Sequence, residues 1–131
     1  VDGDELSALI GVYDADGTLR GEIAYWIGAR FGRAHCSLCD LTHGAFRPRA
    51  AWKAACAGLP VPFHGYHRDD QPAAVRTAAG GRVPVVVGET ASGLHLLLDP
   101  AALQACAGDL DRFTAALYTA VAGAGLRWPA A

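Results

Sequence analysis

Arg82-Val83-Pro84-Val85-Val86-Val87-Gly88, then Glu89-Thr90-Ala91-Ser92-Gly93, then Leu94-His95-Leu96-Leu97-Leu98-Asp99, is the stretch that decides the fold. Two short apolar runs, one rich in β-branched residues, flank five turn-forming residues. That pattern predicts two strands joined as an antiparallel hairpin. Beyond it, Asp99-Pro100 places a capping carboxylate before a proline at the first helical position, predicting a short helix that runs to Ala107. Gly108-Asp109 then open a last helix with Leu110, Phe113, Leu117 and Val121 on one face, closed by Gly123-Ala124-Gly125. Residues 126–131 carry no periodicity and are expected to form a loosely held tail.

Working back from the hairpin, Ala73 to Ala79 reads as a helix stopped by Gly80-Gly81. Pro60 to His67 reads as a strand, irregular at its start because proline cannot donate to a ladder. A helix is expected from Arg49 to Ala57. Ser7 to Tyr13 is a buried strand ending in the turn residues Asp14-Ala15-Asp16-Gly17. Leu19, Ile23, Trp26, Ile27 and Phe31 predict an amphipathic helix from about Thr18 to Phe31, with Asp16 or Thr18 as its cap. Internal repeats and low-complexity linkers are absent from the sequence.

The expected order is therefore strand, helix, thiol-bearing loop, helix, strand, helix, two strands and terminal helices. A strand–helix–strand unit makes a parallel pair with a right-handed crossover, and the hairpin adds antiparallel strands. The fold class is α/β, one domain over 1–131, with a four-stranded mixed sheet, helices on both faces and a Cys-x-x-Cys insert at about 33–48. This order resembles the thioredoxin-like fold. The likeness sharpens at Arg82-Val83-Pro84-Val85, where it implies a cis proline, Pro84, facing the active site and shaping a partner groove. In one respect the chain departs from it. Thioredoxins start a helix with Cys-x-x-Cys directly after a strand, whereas here Asp14-Ala15-Asp16-Gly17-Thr18 stands there and the cysteines follow the first helix.

A second likeness spans most of the chain. Tyr13-Asp14-Ala15-Asp16, Cys36-Ser37-Leu38-Cys39 with Thr42 and Gly44, Trp52, and His67-Arg68-Asp69 together resemble a group of short uncharacterised bacterial proteins with a CxLCxxTxG segment. That resemblance implies that these segments belong together and supplies no mechanism.

The chemistry concentrates in His35-Cys36-Ser37-Leu38-Cys39-Asp40-Leu41-Thr42-His43-Gly44. Two thiols three positions apart face one point if the backbone makes a helical turn, which suits a disulfide or a shared metal ion. For thiol–disulfide exchange Cys36 would attack and Cys39 would resolve, with Pro84 beside them, and no cofactor is required. The partner would be a protein or small-molecule thiol or disulfide. Cys36, Cys39 and His43 also supply three metal ligands, with His67 as the fourth, a set that suits Zn²⁺ or cuprous copper. His67 is preferred over His64 because it lies nearer the strand's carboxyl end, and the two point to opposite faces of a strand.

A different class is suggested by Leu9 to Leu19, which is similar to the first motif of haloacid-dehalogenase-like phosphatases. That likeness implies Asp14 as nucleophile and Asp16 as acid–base, with Lys53 as the cation and Asp69 and Asp70 on Mg²⁺. The same Asp14-Ala15-Asp16-Gly17 also reads as turn chemistry and a helix cap. Cys56 and Cys106 fall on apolar helix faces and are expected in the core, and Trp26, Trp52 and Trp128 are expected to pack.

Bulk properties narrow the partners. The 131 residues are 52% hydrophobic and 18% charged, with a net charge of −2. Such a chain forms a compact core and offers neither nucleic acid nor an anionic membrane an electrostatic footprint. The sequence lacks an apolar run near the ~20 residues of a bilayer span. Its acidic opening, Val1 to Glu5, lacks the pattern of a secretory leader, although a chain without methionine leaves a trimmed leader open. Four sparse cysteines point to a cytoplasmic, reducing environment.

Overall fold

The computed structural model of the protein describes residues 4–14 and 49–129, with side chains from 4–14 and 51–129. Its elements are β1 (Leu6–Tyr13), α1 (Arg49–Ala57), β2 (Phe63–His67), α2 (Ala73–Ala79), β3 (Val85–Thr90), β4 (Gly93–Leu98), α3 (Pro100–Ala105) and α4 (Leu110–Gly123). The strands form one open mixed sheet in the order β2-β1-β3-β4. β1 and β2 run parallel, β3 runs antiparallel to β1, and β4 antiparallel to β3. This is a mixed α/β fold. The expected helix at 18–31 lies outside the described residues.

Side-chain alternation divides the core into two layers. Leu9, Tyr13 and Val86 face a layer built with Trp52, Leu103, Phe113, Leu117 and Val121, which α1, α3 and α4 provide. Ile10, Val12, Val85 and Val87 face the other way, onto Val75 and Ala79 of α2. Helices therefore cover both faces of the sheet. β1 and β3, paired on both sides and covered on both faces, are almost wholly buried, the condition under which strands read as near-continuous apolar runs.

Several boundaries differ from the sequence reading for physical reasons. Pro60 to Pro62 stay outside β2, although the Pro62 carbonyl accepts from Leu9 N at 2.8 Å and so leads the strand into register. The hairpin turn shrinks from five residues to Ala91-Ser92, because Glu89 and Thr90 also pair with Ala8 and Leu6 of β1.

The largest correction concerns the tail. Leu126 is buried, and its amide donates to the Val121 carbonyl at 3.0 Å across Gly125, whose φ of +73° a glycine adopts without strain. Arg127 then bridges Glu5 in parallel: Leu6 N donates to the Arg127 carbonyl and Arg127 N to the Asp4 carbonyl, both at 2.9 Å. Trp128 stacks on Tyr118 with ring centroids 4.6 Å apart. The segment is held because it satisfies backbone groups at the start of β1 and covers the core end of α4.

Candidate functional site

The carboxyl ends of the parallel pair collect the chain's described polar side chains of interest. Tyr13 and His67 are register partners at the last paired position of β1 and β2. Their rings lie 5.6 Å apart at 36°. Gly65 makes this possible, since a Cβ there would stand 3.0 Å from Tyr13 Cε2. The chain turns immediately after His67. Asp70 Oδ1 accepts from His67 N at 2.6 Å, and Asp70 Oδ2 lies 3.2 Å from His67 Nδ1. One carboxylate thus closes the turn and orients the half-buried imidazole.

Arg68 points back to β1. Its Nη1 donates to Asp14 Oδ1 at 3.2 Å, while its carbonyl accepts from Arg76 Nη2 at 3.1 Å. The antiparallel entry of β3 completes this end of the sheet. Val85 pairs with Val12, so the buried Pro84 sits level with the end of β1, and the Val83–Pro84 peptide bond is cis.

His67, Asp14 and Pro84 thus stand at one end of the sheet. Cys36, Cys39, His43 and Asp16 lie outside the described residues, in the segment that follows Asp14 in sequence. His64 points to the face opposite His67, because its register partner is Ile10. Lys53, Asp69 and Asp70 are exposed. Among the described residues, no three His, Cys, Asp or Glu side chains are grouped to hold a metal ion.

The remaining cysteines belong to the core. Burial pushes the Cys56 thiol up to about 11, and Cys106 is raised by burial first and then by Asp109, with Arg112 opposing. Cys106 Sγ also donates to the Ala102 carbonyl at 3.4 Å. Thiols held in the protonated form are poor nucleophiles. His95 hydrogen-bonds Thr90 Oγ1 through Nε2 at 3.1 Å and staples the hairpin.

Sequence reasoning placed Tyr13 and Arg68 in segments expected to belong together and gave neither a role in this cluster. The available signal was that Tyr13 and His67 each end a predicted strand of one parallel pair.

The arrangement defines an α/β domain with an open four-stranded mixed sheet and a polar cluster at the carboxyl ends of its parallel strands. Neither a family model nor a curated protein nor a solved structure matches the chain. No helix among the described residues is long and apolar enough to cross a membrane.

Proposed function

We propose that this is a thioredoxin-like domain that exchanges disulfides through Cys36 and Cys39. The observation that carries the reading is the sheet itself. One parallel pair and an antiparallel hairpin are what the thioredoxin-like resemblance implies, and Pro84 enters β3 beside the end of β1. Open α/β sheets bind ligands at the carboxyl ends of their strands. Asp14 stands at that end, and both cysteines follow it in the sequence. Burial raises the pKa of Cys56 and of Cys106, which disfavours those two thiols as exchanging nucleophiles.

In the reaction the Cys36 thiolate attacks one sulfur of a partner disulfide and forms a mixed disulfide, releasing the partner's other sulfur as a thiolate. The Cys39 thiolate then attacks Cys36 Sγ, which frees the partner as a dithiol and leaves a 36–39 disulfide. The partner gains the two electrons that the cysteine pair loses, and an external thiol reductant restores the pair. Equilibration in glutathione buffers, followed by mass spectrometry under acid quench, tests this. A 2-Da change assigned to Cys36–Cys39 and titrating between about −300 and −120 mV is expected. A pair that stays reduced throughout that window would overturn the proposal.

A metal centre of Zn²⁺ or copper on Cys36, Cys39, His43 and His67 is the second reading, favoured by one observation. Asp70 holds His67 Nδ1, the carboxylate–imidazole arrangement that orients Nε2 toward a metal. Elemental analysis of the untagged protein separates the two readings. Stoichiometric metal that falls away in Cys36→Ser supports the centre, and substoichiometric metal in both proteins removes it.

A further inference from the structure

We draw no further inference here: the strongest candidate, the open cleft at the amino end of β1 walled by Glu5, Ser7, Pro62, Glu89 and Pro129, carries none because nothing in the structure shows what fills it.

Discussion

Tyr13 and His67 end their strands as register partners, and their rings lie 5.6 Å apart because Gly65 leaves the space that the Tyr13 ring crosses. A side chain at position 65 would have to displace a tyrosine that is otherwise packed against the main core. Gly65→Val should therefore destabilise the fold by about 1–3 kcal/mol, the usual cost of forcing extra volume into a packed site. Urea unfolding would measure the loss, and the His67 ring protons should shift as the tyrosine ring current moves away. Unchanged stability with an unchanged His67 spectrum would contradict the packing described.

The two core thiols give a second expected outcome. With its pKa raised to about 11, Cys56 carries a thiolate fraction of about one in a thousand at pH 8. Cys56 and the buried Cys106 should react slowly with a thiol reagent in the native protein and quickly after denaturation. In Cys36→Ser/Cys39→Ser, native labelling at pH 8 should fall to this slow phase, with the Cys56 rate rising toward pH 11. Burial also sets a pH dependence of stability. Between about 9 and 11 the unfolded chain loses the Cys56 proton while the folded chain keeps it, so the unfolded state binds fewer protons and stability falls as pH rises. Chemical unfolding at pH 8, 9.5 and 11 in wild type and Cys56→Ala would isolate this contribution, which should be present in the wild type alone.

The carboxyl-terminal segment should contribute to stability. Leu126 sits in the main core cluster, and Arg127 exchanges two backbone hydrogen bonds with Asp4 and Leu6. Leu126→Ala is expected to cost about 2 kcal/mol, at the low end for a buried leucine because the site lies at the edge of the core. Removing the Arg127–Glu5 ion pair by Arg127→Gln should cost much less, within about 1 kcal/mol, since both side chains are about half exposed. Equal losses in the two variants would mean that the charge pair, and not the apolar and backbone contacts, holds the segment.

Most elements were legible because their signals are local. The apolar runs of β1, β3 and β4, the Asp99-Pro100 start of α3 and the Gly80-Gly81 end of α2 each lie within a few residues of the structure they specify. The segment after Gly125 was misread because its partners, Asp4 and Leu6, are more than 100 positions away and leave no periodic mark on it. The site divides in the same way. His67 could be placed at a strand end from the strand's span and opposite His64 from alternation, but its contact with Tyr13 depends on the parallel register and on the missing side chain at Gly65. The cysteine chemistry was readable as a spacing, and Cys36, Cys39 and His43 remain outside the described residues.

Gly88 provides the most demanding test of the sheet's internal geometry. It lies in β3 between Leu9 on one side and His95 on the other, on the face toward α1 and α4. Two register irregularities bring leucines over it. One at Ser7 lets Leu6 share a face with Leu9, and one at Leu97 turns that side chain toward the same layer as Leu98. A Cβ at position 88 would stand 2.8 Å from Leu6 Cδ2 and 3.0 Å from Leu97 Cδ1, closer than a packed interior tolerates. Gly88→Ala is thus expected to destabilise by about 1–3 kcal/mol despite the better strand propensity of a residue with a side chain. Because the clash involves side-chain ends, shortening one of them should relieve it. Gly88→Ala combined with Leu97→Ala should lose less stability than the sum of the two single variants, with a coupling of about 1 kcal/mol in a double-mutant cycle. Strict additivity in that cycle would place Leu97 elsewhere and refute the bulged β3–β4 register on which its contact depends.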